Sequence, residues 1–337
     1  MGPRTITSTP VELTPLGFGA SGIGNLHRVT PPGDAEAAVG AAWAAGIRYF
    51  DTAPHYGLGL SERRLGAALR DRPRDAYVVS SKAGRLLVPN EQPRGVDDEG
   101  FIVRDDLRRQ WDFSHDGVLR SIEESLERTG LDRLDVVYLH DPDDQWRQAA
   151  GEAMPALAEL RDQGVIGAIG AGMNQSAMLA RFLRETAADV VMLAGRYTLL
   201  DQSALDDVLP AALESGKSVV AAGVFNSGLL SRDVPAAGMT YDYRQAPQPL
   251  VARALAIADV CATHGTVLPA AAMAFPRTHP SIINVTLGMR TQEQVERNVR
   301  LHHQHVPESL WDDLRARGLI RRDVPTQSGQ GRGSQCP

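Results

Sequence analysis

Asp51, Tyr56, Lys82 and His140 are residue types that could together move a proton to or from a carbonyl oxygen. A tyrosine can do this when a nearby cation favours its phenolate. Lys82 would supply that cation, and Asp51 would hold the lysine charged and in place. His140 could orient the oxygen through a hydrogen bond or help relay the proton. The chemistry that suits the set is carbonyl reduction or its reverse, with a separate carrier for the hydride. Each residue also has an ordinary reading. Asp51 could cap a helix, Lys82 could be a solvated lysine, and Tyr56 could be a loop aromatic packing on a rim. His140 heads the run His140-Asp141-Pro142-Asp143-Asp144, which reads as a turn or as a metal site, although the second lacks the usual ligand spread. The four gain meaning jointly if the fold brings them to one place.

The elements that must do so alternate. Short β-branched runs are expected as strands over residues 16–20, 47–51, 76–81, 134–140, 165–171, 189–193, 218–222 and 281–287. Helices are expected between them. Asp34 caps the first, which runs to Trp43 and ends at Gly46, and Glu62 places an acid in the first turn of the second, residues 61–70. Further helical stretches cover 116–129, 149–163, 175–184, 204–215, 249–264, 269–277 and 291–302. Eight strand candidates in this alternation favour a (β/α)8 barrel, a single domain over residues 1–326. A doubly wound dinucleotide fold fits less well. Gly17, Gly19, Gly22 and Gly24 sit near the end of the first strand, but Gly24 does not open a helix.

In a barrel the strands' C-terminal ends carry the active site. Asp51 ends the second strand, Lys82 follows the third and His140 closes the fourth, with Tyr56 in the loop after Asp51. Groups from three successive strand–helix junctions therefore converge on one face. The long polar segment 84–112 begins just after Lys82 and is expected as an active-site loop. His55 and Trp146 could border the pocket mouth and meet the face of a sugar ring, with Trp146 alternatively packing its helix on the barrel. Residues 327–337, rich in Ser, Gly, Gln and Arg, read as a disordered tail.

Composition narrows the class. The net charge of −6 argues against a nucleic-acid partner. Cys261 and Cys336 give neither a disulfide framework nor metal-ligand spacing, so no metal is expected. Residues 1–10 have no apolar signal core, and no apolar run approaches the ~18 residues of a membrane span. Cytoplasm is the expected location, with no membrane partner.

The run Gly46-Ile47-Arg48-Tyr49-Phe50-Asp51-Thr52-Ala53-Pro54-His55-Tyr56-Gly57, followed by Ser61-Glu62, resembles the first signature of the aldo-keto reductase superfamily. Residues 157–170, with Leu160-Arg161-Asp162-Gln163-Gly164 and Ile169-Gly170, are similar to its second. Gly288-Met289-Arg290-Thr291-Gln292-Glu293-Gln294-Val295 with Asn298 resembles its cofactor-adenosine signature. The resemblance spans roughly residues 13–301. It implies a TIM barrel, a nicotinamide cofactor extended across its top and a small-molecule carbonyl or sugar substrate. It also implies that Asp51, Tyr56, Lys82 and His140 are the catalytic set. Cofactor contacts are implied for Asn174, Phe225, Asn226, Ser227, Gly228, Leu229, Gly288, Arg290, Gln294 and Asn298.

The runs Ala194-Gly195-Arg196-Tyr197-Thr198-Leu199-Leu200-Asp201-Gln202 and Gly223-Val224-Phe225-Asn226-Ser227-Gly228 resemble a narrower branch. It contains L-fucose (D-threo-aldose) 1-dehydrogenases, L-galactose dehydrogenases and pyridoxal 4-dehydrogenases. That likeness implies oxidation of a ring hemiacetal to a lactone, or in reverse the reduction of a lactone or aldehyde. The chain departs from the superfamily at the nicotinamide end. Ala222 replaces a ring-stacking tyrosine, and Gly172 and Ala194 stand where Ser and Gln commonly bind the carboxamide. Asn174 and Phe225 are the expected substitutes. Arg290 could pair with a 2′-phosphate, while Gln294 and Asn298 can serve a 2′-hydroxyl. The reading leans to NADP(H), with NAD(H) as the alternative. Two competing functions are a cofactor-sensing regulatory subunit, which would not need the four residues intact, and a barrel hydrolase, which would need a metal at His140.

Overall fold

The structure, a computed structural model, describes residues 2–325 apart from Ala237 and Tyr243, so the expected tail lies outside the described residues. Eight parallel strands close a barrel. They are β1 (Leu16–Gly19), β2 (Tyr49–Asp51), β3 (Val78–Ala83), β4 (Val136–His140), β5 (Ala168–Met173), β6 (Val190–Ala194), β7 (Ser218–Ala222) and β8 (Ile282–Gly288). Each pairs with its sequence neighbours, and β8 returns to β1, matching Gly288 to Gly19.

The side-chain alternation of β-strands sorts the core into two parts. Tyr49, Val136, Tyr138, Val190, Met192 and Val220 fill the barrel interior. Ile6, Val11 and Leu13, from an antiparallel hairpin pairing Arg4–Thr5 with Glu12–Leu13, join that inner cluster. Phe50, Val137, Leu139, Val191 and Leu193 face the helices instead. Gly17 is required by this filling. A Cβ there would stand 2.7 Å from both Tyr49 Cδ1 and Thr286 Oγ1. Gly17 thus makes room for a barrel-filling tyrosine rather than belonging to a dinucleotide turn.

The helices are α1 (Pro32–Ala44), α2 (Leu60–Leu69), α3 (His115–Thr129), α4 (Met154–Asp162), α5 (Ser176–Glu185), α6 (Val208–Ser215), α7 (Gln248–Thr263), α8 (Leu268–Ala274), α9 (Gln292–His303) and α10 (Glu308–Ala316). Two local expectations are corrected. Asp34 lies inside the first turn of α1, because Pro32 takes the first helical position with its φ already set for a helix. Lys82 lies within β3 rather than after it, since the strand continues by pairing Lys82 with Tyr138 and Ala83 with Leu139.

The long polar segment is ordered. Arg85–Pro89 and Leu107–Trp111 pair as an antiparallel hairpin. Its distal part reaches back to the loop after β1. There Leu26 bridges Phe101, Ile102 N donates to Asn25 O at 3.0 Å, and His27 N donates to Gly100 O at 2.7 Å. This cover spans the top of the barrel from β3 to β1.

Candidate active site

Strand register sets the floor of the site. Asp51 pairs with Ser80 in β3, and Lys82 lies two residues further along the same inward-facing side. Lys82 Nζ donates to Asp51 Oδ1 at 2.9 Å, to Asp51 Oδ2 at 2.8 Å and to Thr52 O at 2.9 Å. Ser80 Oγ donates to Asp51 Oδ1 at 2.8 Å and lies 2.9 Å from the Tyr49 hydroxyl, which is 3.2 Å from that of Tyr138. A polar chain therefore rises through the barrel interior to a buried ion pair. Asp51 is not a helix cap; Gly59 holds that position for α2.

Above the ammonium lies Tyr56, with Lys82 Nζ 4.7 Å from its ring centroid. The loop carrying it is held close to the barrel by Gly57, which has φ +65° and comes so near Gly24 O that a Cβ would be 2.2 Å away. The His140 ring is 5.9 Å from that of Tyr56, and the His55 ring is 5.4 Å from that of His140. Phe101, from the cover, packs 5.1 Å from His55 and 6.1 Å from Tyr56. The four residues singled out by type, and His55 with them, lie together at the C-terminal ends of β2, β3 and β4.

The electrostatics follow from burial and these neighbours. Burial alone would lower the Lys82 pKa, but Asp51 and then Tyr56 outweigh it, so the ammonium is held charged. Burial pushes the Tyr56 phenol up to about 12, against the opposing pull of Lys82. His140 is driven well below its usual range by burial, then by Arg85 and Lys82, which keeps the ring neutral at pH 7. Its Nδ1 is buried without a hydrogen-bond partner. His55 falls to about 2 through burial, Arg85 and Arg109. A neutral histidine and a phenol over a fixed ammonium form a group that can exchange one proton with a bound oxygen without changing net charge elsewhere.

Beside this cluster runs a cleft of about 660 Å³ at the top of β1, β7 and β8. Phe225, Asn226, Ser227, Gly228, Gly288, Arg290 and Gln294 line it, together with Ser21, Gly22, Leu26 and His27 from the loop after β1. Asn226 Oδ1 is buried there without a partner, an acceptor that an amide or hydroxyl of a ligand would satisfy. A Cβ on Gly22 would stand 3.1 Å from Arg290 Cβ, so the glycine keeps the cleft wall open. Volume, polar groups and bare backbone fit an elongated nucleotide cofactor. Arg290 donates to Leu26 O at 2.8 Å, and its backbone N–H donates to Gln294 Oε1 at 3.0 Å.

Other expected positions fall elsewhere. Leu229 is fully buried in the outer core and Asn298 is buried, neither among the residues lining the cleft, while Asn174 is exposed beyond β5. Trp146 is corrected as a pocket residue. It packs at 4.9 Å on Phe182 of α5 with the Arg181 guanidinium 3.8 Å over its ring, in the helical layer. The acids after His140 diverge: Asp141 takes Arg85, and Asp143 takes Gln175. The residues that reading by type missed are on the cover. Arg85 Nη1 is 3.2 Å from His55 Nδ1, and Arg109 Nη2 donates to His55 O at 2.9 Å while pairing with Asp97. The signal for Arg85 was its place three residues after Lys82.

Barrel, buried lysine–carboxylate pair, tyrosine and histidine define a class. The chain belongs to the aldo/keto reductase family, whose profile matches residues 15–316, and is a nicotinamide-dependent oxidoreductase. Among its relatives, a D-threo-aldose 1-dehydrogenase of a Pseudomonas species is 49% identical over 309 residues, 90% of this chain and 94% of that protein. A pyridoxal 4-dehydrogenase of Microbacterium luteolum is 37% identical, covering 94% of this chain and 97% of the relative. The barrel superposes on an aldo-keto reductase from Bacillus halodurans with a TM-score of 0.73 at 24% identity, over 97% and 99% of the two chains. No single helix among the described residues is long and apolar enough to cross a membrane.

Proposed function

We propose that this protein oxidises the anomeric carbon of an aldose hemiacetal to a lactone, with the reverse reduction available. The observation that carries the reading is the buried Lys82–Asp51 pair beneath Tyr56, with neutral His140 alongside and the cleft adjoining. The likeness to the aldose dehydrogenase, at 49% identity, supports the substrate class. A nicotinamide bound in the cleft supplies the hydride acceptor. The anomeric hydroxyl gives its proton to Tyr56, the C–O bond becomes a carbonyl, and the C1 hydrogen leaves with its electron pair. Lys82 stabilises the phenolate that accepts the proton, and Asp51 fixes Lys82. His140 donates a hydrogen bond to the reacting oxygen, which aligns it with Tyr56. Phe101 excludes water from above. Asn226, Ser227 and Gly228, with Gly288 and Gln294, would hold the cofactor. The buried, unpaired Cys261 accords with a reducing, cytoplasmic setting.

The test is a rate panel of L-fucose, D-arabinose, L-galactose and pyridoxal with NAD and NADP. An aldose is expected to show the highest kcat/KM; a clear preference for pyridoxal would transfer the reading to aromatic aldehydes.

NADP is the favoured cofactor because Arg290 lines the cleft and a guanidinium suits a 2′-phosphate. Arg290→Ala is expected to weaken NADP binding by ~1–3 kcal/mol and leave NAD nearly unaffected. Equal losses in a titration of both would show that Arg290 shapes the Leu26–Arg28 loop instead.

A further inference from the structure

Arg85 is 8% exposed, yet its guanidinium is the meeting point of the cover and the barrel. Nη2 is 2.5 Å from Asp141 Oδ2, and Nη1 is 3.2 Å from His55 Nδ1 and 3.6 Å from Glu99 Oε2. The Trp111 ring lies 4.2 Å from the guanidinium carbon and is left 49% exposed. Nε is buried without a hydrogen-bond partner.

Asp141 is unusual in its backbone. It follows the last residue of β4 with φ 44°, left-handed for a residue that carries a Cβ, and is held there by Asp141 N donating to Gly172 O at 3.0 Å. This conformation turns the carboxylate back to 3.5 Å from His140 Nε2, while leaving the side chain 35% exposed. Strain of this sort persists where the surroundings over-determine it, and such positions cluster at ligand sites.

The charges are matched. Lys82 pairs with Asp51, Arg109 with Asp97 and Arg85 with Asp141, while Glu99 stands 3.6 Å from Arg85 and 3.8 Å from Arg109. No cation among these is left for an anionic substrate group, and Glu99 would repel one. A partly open carboxylate fixed beside a guanidinium offers acceptor and donor at adjacent points, which suits two neighbouring hydroxyls. The Trp111 indole carries the Arg85 guanidinium at 4.2 Å and packs on the Phe113 ring at 5.8 Å, and its exposed part offers an apolar border to a ring beside them.

The geometry points to Arg85, Asp141 and Trp111 as a subsite for the neutral vicinal diol next to the reacting carbon, with Trp111 bordering the ring. This rests on reading the site as a sugar dehydrogenase, and it selects uncharged polyols over sugar phosphates and sugar acids. The hydroxyls at C2 and C3 bind across Asp141 and Arg85 while C1 faces Tyr56 and His140.

The test is calorimetric binding to the NADP-loaded protein, using a 1,5-anhydro sugar that cannot be oxidised and its 2,3-dideoxy analogue. Wild type is expected to bind the diol at least roughly tenfold tighter, as a site built for hydroxyls rejects an analogue lacking them. Asp141→Asn, which tolerates a left-handed backbone, and Arg85→Gln are expected to bring the two ligands within about twofold. Trp111→Leu is expected to weaken both alike and serves if Arg85→Gln does not fold. Equal binding of the two ligands by wild type, a preference retained in Asp141→Asn, or tighter binding of the corresponding sugar phosphate would each overturn the subsite. Diol selectivity without turnover of any aldose would reject the dehydrogenase reading alone; turnover without selectivity would reject the subsite alone.

Discussion

Lys82→Met is expected to lower kcat by roughly 10³-fold or more, within the range for loss of general acid–base assistance. The ammonium lies 4.7 Å from the Tyr56 ring centroid, and it gives hydrogen bonds to both Asp51 oxygens. Its removal raises the phenol pKa twice over, by withdrawing a positive charge and by leaving the Asp51 carboxylate unopposed. The limb of the pH–rate profile that Tyr56 sets, the acidic limb for oxidation and the alkaline limb for reduction, should therefore move upward in any residual activity. Stability should also fall by ~3–5 kcal/mol, the usual result of breaking a buried ion pair from one side. Adding Asp51→Asn should restore much of the stability and none of the rate. That divergence separates a chemical role from a structural one. A limb that stays in place would remove Lys82 from the tuning of Tyr56.

Tyr56→Phe is the companion case. The ring contacts with His140 and Phe101 depend on the aromatic face and survive the change. Only the hydroxyl is lost. Turnover should drop by ~10²-fold or more, while cofactor binding, located in the neighbouring cleft, stays near normal. Turnover close to wild type would require another proton acceptor, and neutral His140 would be the next candidate.

These expectations rest on residues that the sequence itself marks. Asp51, Tyr56, Lys82 and His140 stand near strand ends, and parallel strands deliver their C-terminal ends to one rim, so position along the chain translates directly into position in space. The cover was legible only as a long polar segment. Leu107–Trp111 carries three consecutive polar residues, Arg108, Arg109 and Gln110, and so shows no alternation, and its pairing with Arg85–Pro89 spans an intervening loop with no local signature. Arg85 and Asp141 escaped for a related reason. They meet across 56 positions of sequence, through a left-handed residue that no pattern announces. Trp146 misled because an aromatic beside a catalytic junction suits a sugar site. Its partner Phe182 belongs to the apolar stripe of α5, where Leu179 and Leu183 are also buried, and the pull of that stripe is nonlocal.

The same geometry explains why the cofactor assignments divided. Cleft residues on the β7 and β8 loops project from strand ends and reach the groove. Leu229, in the β7 loop, is packed in the outer core, and Asn298, in α9, is buried, and neither is among the residues lining the cleft.

The central claim is that a hydrogen passes with its electrons between the anomeric carbon and the nicotinamide, under the control of Tyr56. The most direct measurement uses a preferred aldose deuterated at C1, followed by magnetic resonance of the reduced cofactor. One deuterium is expected on the reduced nicotinamide ring for each lactone formed, with none released to water. Deuterium found in solvent, or lactone formed without labelled cofactor, would contradict it.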